Sequence, residues 1–298
     1  MKDYKLAIVG ATGVVGRTIL KVLEEKNLPI SHYVLFASKK SCGKKLHFMG
    51  KDYEVQELKE DSFDEGFDFA IFSSGGDVAK KFAPIASSKG CIVIDNSSAF
   101  RMDNNVPLVV PEVNSEEIKN NNGIIANPNC STIQAVVALK PLDEKYNIKR
   151  IVYSTYQAVS GAGLKGISDL ENGINNFKDN ENYTLLKFPY PIFNNCLPHI
   201  DVFLDNGYTK EEEKMINETR KILNRPHLKI TATAVRVPVF NSHSECINVE
   251  FENHFDLEEL KDLLRHSPGI ILQDDISSNI YPIATKATGH DEIFIRKN

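Results

Sequence analysis

Residues 10–16, GATGVVG, stand between a short apolar run at 5–9 and a helix-forming stretch that continues to about Glu25. Glycines at 10, 13 and 16 let the chain turn tightly and let a phosphate approach bare backbone. The helix start behind them offers unpaired N–H groups to an anion. A strand, a glycine turn and a helix in this order predict a dinucleotide contact through Gly10, Ala11, Thr12, Gly13, Val14, Val15 and Gly16. The spacing departs from the commoner G-x-G-x-x-G, and a glycine turn can also serve packing alone.

The next hundred residues fit the same frame. Short β-rich runs recur at 33–37, 67–72, 91–94 and 123–126, with a helical segment around 78–88. Such alternation predicts an α/β, Rossmann-type domain with a parallel sheet and helices on both faces. Beyond residue 127 the pattern changes. A helix to about Tyr146 is followed by an alternating strand at 149–159 and a Gly- and Asn-rich loop over 160–182. A helix over 209–223 and β-rich stretches at 228–240 and 245–251 come next. We therefore expect a nucleotide-binding domain over 1–127 and an α+β domain over 128–298.

The end of the second strand reads Ser38, Lys39, Lys40, Ser41. An enzyme that uses NAD usually places a carboxylate there to bond the ribose. Two cations and two hydroxyls suit a ribose 2′-phosphate instead, which predicts NADP; a solvated lysine loop would read the same. FSSGG at 72–76 puts Ser73, Gly75 and Gly76 where a pyrophosphate or ribose could lie, and an ordinary glycine turn fits the pattern equally.

Composition narrows the partners. A net charge of −5 gives no reason to expect nucleic acid. No apolar run is long enough to span a bilayer, and the N-terminus enters a strand without the features of a signal peptide, so a cytoplasmic protein is expected. The five cysteines are odd in number and scattered without metal-ligand spacing, which predicts neither a metal site nor a disulfide framework. Cys42, Cys91, Cys196 and Cys246 read as buried, inert thiols. Cys130 differs: in NPNCST (127–132) it sits between a Pro-Asn turn and the apolar helix start at 133–139, where a helix N-terminus favours the thiolate.

Eight segments together carry a resemblance: GATGVVG (10–16), DNSSAFRM (95–102), VPEVN (110–114), NPNCST (127–132), YQAVSGAG (156–163), PHIDVF (198–203), EEEKM (211–215) and RVPVFNSHSE (236–245). In this order, across nearly the whole chain, they resemble the aspartate-β-semialdehyde dehydrogenase family. The resemblance implies that the second domain is catalytic and forms a homodimer or homotetramer, with NADP as cofactor and phosphate as co-substrate. The implied reaction interconverts L-aspartate 4-semialdehyde and L-4-aspartyl phosphate through a cysteine thioester. It lies on the route to lysine and diaminopimelate, threonine and methionine.

The implied roles are specific. Cys130 is the nucleophile, His243 the general acid/base, and Gln157 the amide that orients the reacting groups. Asn129 positions the intermediate, although an N-cap role fits it equally. Arg236 grips the substrate carboxylate, Glu211 receives the α-ammonium, and Lys214 and Arg101 hold phosphate; Ser160 and Gly161 touch the cofactor. Without the resemblance, Glu211 and Lys214 would read as a surface ion pair. Family members also continue past the strand at 291–295 with another strand and a long helix, so 128–298 is expected to lack them. Two competing functions remain open at this point. One is the related N-acetyl-γ-glutamyl-phosphate reductase, whose substrate has no free ammonium for Glu211. The other is a weakly active nucleotide-binding or assembly protein.

Overall fold

The structure, a computed structural model, describes residues 3–177 and 183–296. The chain divides into two compact units, Met1–Val109 with Ser115–Pro128, and Val110–Asn114 with Asn129–Asn298.

The first unit holds β1 (Tyr4–Val9), α1 (Val14–Lys26), β2 (Ile30–Ala37), β3 (Lys45–Phe48), β4 (Lys51–Glu54), β5 (Gln56–Glu57), β6 (Phe69–Phe72), α2 (Gly76–Ser88), β7 (Ile92–Asp95) and β8 (Ile124–Ala126). Six strands form one parallel sheet in the order β5-β2-β1-β6-β7-β8. The chain moves outward from β1 to β2 on one side and then from β6 on the other. That reversal opens a crevice at the carboxyl ends of β1 and β6, the usual place for a ligand in such sheets. Both sheet faces are covered. Ala7 and Val9 of β1 pack with Phe36, Phe63, Phe67 and Phe72, while Leu6 and Ile8 pack with Leu35 and Phe48. Double burial explains why these strands read as apolar runs rather than as alternating ones. Each large side chain so buried contributes about 1.5–3 kcal/mol.

The β3–β4 hairpin was not expected from the sequence. Its turn is Met49-Gly50, with φ of 50° and 72°. That backbone matches the tight primed turn usually marked by Asn-Gly. Methionine hides the signal, and its N–H is held by Glu24 Oε1 at 2.6 Å.

The second unit holds α3 (Pro111–Asn114), α4 (Cys130–Tyr146), β9 (Ile148–Gln157), α5 (Leu164–Asn176), α6 (Lys210–Ile222), β10 (Lys229–Arg236), β11 (Ser244–Phe251), α7 (Leu257–Arg265), β12 (Ile270–Leu272), α8 (Ala284–Ala287) and β13 (Ile293–Ile295). Strand β9 is central, parallel to β10 and antiparallel to β11. Its inward residues Ile151, Tyr153, Thr155 and Gln157 are buried, and the Tyr153 hydroxyl meets Thr219 of α6 at 3.0 Å. A capping box starts α6: Glu212 Oε2 accepts the Thr209 N–H at 2.7 Å while the Thr209 hydroxyl accepts the Glu212 N–H at 3.4 Å. The other oxygen of Glu212 accepts the Ala234 N–H at 2.9 Å, which ties α6 to β10.

Two sequence expectations need correction. The loop over 160–182 is a 3₁₀ turn at Val159–Ala162 followed by α5, with residues 178–182 outside the described set. Its glycines are packing residues. A Cβ on Gly166 would stand 2.7 Å from the Ala162 Cβ, and one on Gly173 would stand 2.5 Å from the Phe193 Cβ. Of the four thiols read as buried, only Cys91 is; Cys42, Cys196 and Cys246 are exposed. Cys91 opens a doubly covered strand run, whereas Cys246 sits on the outward-facing side of β11. Among the described residues, no helix is long and apolar enough to cross a membrane.

Candidate active site

The site in the second unit is built around the first turn of α4. Asn129 caps that helix: its Oδ1 accepts the N–H groups of Ser131 and Thr132 at 3.0 and 3.2 Å. The same amide donates from Nδ2 to Glu211 Oε1 at 2.9 Å, and the Asn129 backbone N–H donates to Glu218 Oε2 at 2.6 Å. Asn129 is thus both cap and bridge. Cys130 follows as the first residue of a 17-residue helix with no acid in its first turn, so the helix dipole favours negative charge on Sγ.

His243 reaches Cys130 from the loop between β10 and β11, with Nε2 3.1 Å from Sγ. The Ala158 N–H donates to Nδ1 at 3.0 Å. A ring that accepts at Nδ1 carries its one proton on Nε2 when neutral, so it offers the sulfur an N–H donor. Burial pushes the ring's pKa down to about 4, and the Arg236 cation adds to this while Glu211 opposes it. The imidazole is neutral at ordinary pH.

Arg236 and Gln157 end adjacent parallel strands and are directly paired. Arg236 is buried and donates from Nη1 to the Ala158 carbonyl at 2.7 Å, its only side-chain hydrogen bond among the described residues. The rest of its fork is open to a carboxylate. Gln157 Nε2 donates to Thr155 Oγ1 and to Glu211 Oε1, both at 3.3 Å. Gly161 lies against both Arg236 and His243: a Cβ there would be 3.1 Å from Arg236 Nη1 and 3.3 Å from His243 Cε1. The preceding Ser160 donates its N–H to the Phe240 carbonyl at 3.1 Å.

Glu211 is buried at the start of α6. Burial alone would raise its pKa, but Lys214, Asn129 and Gln157 outweigh that and hold it below the usual value. Lys214 donates to Glu211 Oε2 at 3.1 Å and to Asp201 Oδ2 at 2.8 Å. Against burial, which would lower it, these carboxylates raise the lysine pKa.

The first unit holds the remaining expected residues. Gly10 has φ of 89°, and a Cβ on it would stand 2.8 Å from the Ser73 carbonyl oxygen. The N–H groups of Gly10 and Ala11 bond the Phe36 carbonyl at 2.8 and 3.2 Å, which pins the turn to the end of β2. A Cβ on Gly16 would collide with the Gly10 carbonyl, so this glycine seats α1 on the turn. Gly13 is the N-cap of α1, makes no side-chain cap and is followed by no acid in the first turn, so the cap residue itself leaves the first N–H groups of the helix to other partners. Thr12 Oγ1 reaches Ser41 Oγ at 3.4 Å, which joins the glycine turn to the 3₁₀ turn Lys39–Ser41. Ser38, Lys39 and Lys40 are exposed in that loop, and no acid stands between 38 and 45. Ser73 is fixed by bonds to the Val9 carbonyl, and Gly75, φ 89°, caps α2, which begins at Gly76. An uncapped helix start behind a glycine cradle, beside two exposed lysines, fits a dinucleotide carrying a 2′-phosphate. Arg101 is buried in this unit and donates from Nη2 to the Asn96 carbonyl at 3.2 Å.

Comparison with known proteins agrees with both halves. Residues 5–121 match the semialdehyde dehydrogenase NAD-binding domain, and residues 139–296 match the semialdehyde dehydrogenase dimerisation domain. Aspartate-semialdehyde dehydrogenase of Aquifex aeolicus is 54% identical over 295 residues, 98% of this chain and 87% of that one. The chain belongs to the aspartate-semialdehyde dehydrogenase family. Among solved structures of that family, aspartate semialdehyde dehydrogenase II of Vibrio cholerae complexed with ASA has a TM-score of 0.95 at 44% identity, covering 99% of this chain and 87% of its own. The enzyme of Candida albicans with NADP has a TM-score of 0.75 at 27% identity, covering 96% and 86%.

Sequence reasoning missed two residues of this family member's site. Glu218 lies two helical turns after Glu211 and is almost wholly buried under the α4 N-terminus. The seven-residue spacing of two acids on α6 was the available signal. Asp201, which meets Lys214, lies in the PHIDVF segment but carries no local pattern.

Proposed function

We propose that this chain catalyses the reversible, phosphate-dependent conversion of L-aspartate 4-semialdehyde to L-4-aspartyl phosphate, with Cys130 as nucleophile. The observation that carries the reading is the 3.1 Å approach of Cys130 Sγ and His243 Nε2 at the start of α4, beside the open fork of Arg236.

In the oxidative direction the Arg236 fork holds the substrate carboxylate and Glu211 receives its ammonium. The Cys130 thiolate, favoured by the helix start and by the Nε2 proton of His243, attacks the aldehyde carbon. The carbonyl electron pair moves to oxygen, and His243 donates a hydrogen bond to the resulting oxyanion. Because Nδ1 accepts from the Ala158 N–H, the neutral ring offers Nε2–H as a donor, and we take this hydrogen bond in place of the general acid/base role expected for His243. Residues 10–16, Ser38, Lys40, Ser41, Ser73, Gly75 and Gly76 would hold NADP, with Ser160 and Gly161 as further expected contacts, and the bound cofactor would supply the acceptor for the hydride that leaves this carbon. A thioester on Cys130 remains. Phosphate, for which Lys214 and Arg101 are the cations expected from the sequence, adds to the thioester, and the thiolate leaves with the electron pair of the C–S bond. Gln157 and Asn129 fix the Glu211 carboxylate throughout.

Glu211 also favours this reading over an N-acetylated glutamate semialdehyde, which has no ammonium to offer. Assay of both semialdehydes tests the choice directly: turnover of the free amine with phosphate and NADP supports it, and preference for the acetylated substrate overturns it. The dimerisation-domain match supports a homodimer or homotetramer. Free thiols in a chain of this class favour the cytoplasm. The product's chemistry suits the biosynthesis of lysine, diaminopimelate, threonine and methionine.

A further inference from the structure

Lys214 is shared between two carboxylates rather than paired with one. Its Nζ stands 2.8 Å from Asp201 Oδ2 and 3.1 Å from Glu211 Oε2. Asp201 is held for this contact in the left-handed region, at φ 69°, where its Oδ1 accepts the N–H of Val202 at 3.0 Å. Asp tolerates that region better than most residues, yet it still costs free energy, and the surrounding chain must enforce it. The enforcing bonds are present. The Lys210 N–H bonds the Val202 carbonyl at 2.8 Å, and the Leu204 N–H bonds the Tyr208 carbonyl at 2.8 Å, so the segment lies against the start of α6.

The charges decide what this arrangement is for. A Glu211–Lys214 pair by itself is neutral and has nothing left to attract an ammonium. Adding Asp201 makes a hydrogen-bonded cluster of two carboxylates and one ammonium, in which the Lys214 cation is divided between Glu211 and Asp201; Lys210 also acts on Asp201 electrostatically, on the Asp201 side of the cluster and not on Glu211. Arg236, whose pKa burial lowers while Glu211 and Cys130 raise it, supplies the positive counterpart close to Glu211. A positive and a negative point on one site match the two ends of an α-amino acid.

We propose that Asp201 is a specificity-determining residue that gives the site its preference for substrates with a free α-ammonium, by drawing the Lys214 charge off Glu211. The inference rests on the aspartate-semialdehyde reading of the site. Asp201→Asn is the sharpest test, because it removes the charge, keeps the cap on Val202 and suits the left-handed backbone at least as well. Wild type, Asp201→Asn and Asp201→Glu are assayed with aspartate 4-semialdehyde and with its N-acetyl derivative, and each variant's melting temperature is taken. For the free amine, Asp201→Asn raises KM about 10-fold with kcat within about 2-fold of wild type. For the acetylated substrate, kcat/KM stays within about 2-fold, and Asp201→Glu recovers most of the lost discrimination. Equal effects on both substrates, or none on either, with the fold intact, would overturn the role of Asp201 and leave the enzyme reading standing. If wild type turns over neither substrate, both fall together.

Discussion

The two units build their sites from opposite materials. The first unit presents backbone: a glycine turn pinned to the Phe36 carbonyl and an uncapped helix start. The second presents polar side chains, in which the buried Asn129, Gln157, Glu211 and Glu218 and the half-buried Lys214 satisfy one another around a single thiol. A backbone site tolerates most side-chain changes and fails when a Cβ is added. A buried polar network has no such tolerance, because each lost partner leaves a desolvated group unpaired.

Single substitutions should expose that asymmetry. Cys130→Ala removes the covalent route and is expected to lower kcat by a factor of about 10⁵ while the cofactor still binds, as read by fluorescence titration with NADPH. His243→Ala removes one hydrogen-bond donor to the oxyanion, so kcat falls about 10²- to 10³-fold with KM little changed. Across the divide, Lys39→Ala with Lys40→Ala should raise the KM for NADP about 10-fold or more and leave that for NAD unchanged, since only the former carries the 2′-phosphate. Gly10→Ala should weaken both cofactors together: the new Cβ meets the Ser73 carbonyl, and the left-handed backbone costs about 1–2 kcal/mol. Equal losses for NADP and NAD in the lysine variant would remove the reason for assigning NADP.

The same contrast explains how much was legible in the sequence. Strands β1, β6 and β7 and helix α1 follow from local apolar runs and a glycine turn, so their bounds were found within a few residues. Helix α4 was read as running to about Tyr146 because good helix formers mark it from 133 onward, and the structure starts it at Cys130 behind the Asn129 cap. Helix α5 was missed because Gly166 and Gly173, which allow close packing, look like loop residues in one dimension. The thiol site assembles residues as far apart as Cys130 and His243, and no local spacing encodes that meeting. Only the combined motifs pointed to it. The Ala158 N–H that sets the His243 tautomer was beyond reach for a different reason: a backbone group leaves no mark on composition.

The smallest expected effect concerns pH and a buried acid outside the mechanism. Among the described residues neither carboxyl oxygen of Glu245 finds a well-formed hydrogen bond, and despite help from Gln134, burial pushes its pKa from 4.5 up to about 8. The unfolded chain therefore ionises first as pH rises, and stability is lost between about 4.5 and 8. Glu245→Gln should flatten that decline, with a melting temperature a few degrees (~5 °C) above wild type at pH 8 and unchanged near pH 4.5. His243 acts in the opposite sense. Its folded value lies below the free value of 6.5, so stability is fully present above that pH and lost as pH falls toward 4.

The most direct measurement is single-turnover chemistry without phosphate. Wild-type protein mixed with aspartate 4-semialdehyde and NADP⁺ should release a burst of NADPH equal to the number of active sites and then stall, with an aspartyl adduct found on Cys130 by peptide mass spectrometry. Steady NADPH formation by Cys130→Ala, or a stalled adduct on one of the exposed thiols Cys42, Cys196 or Cys246 instead, would contradict Cys130 as the nucleophile.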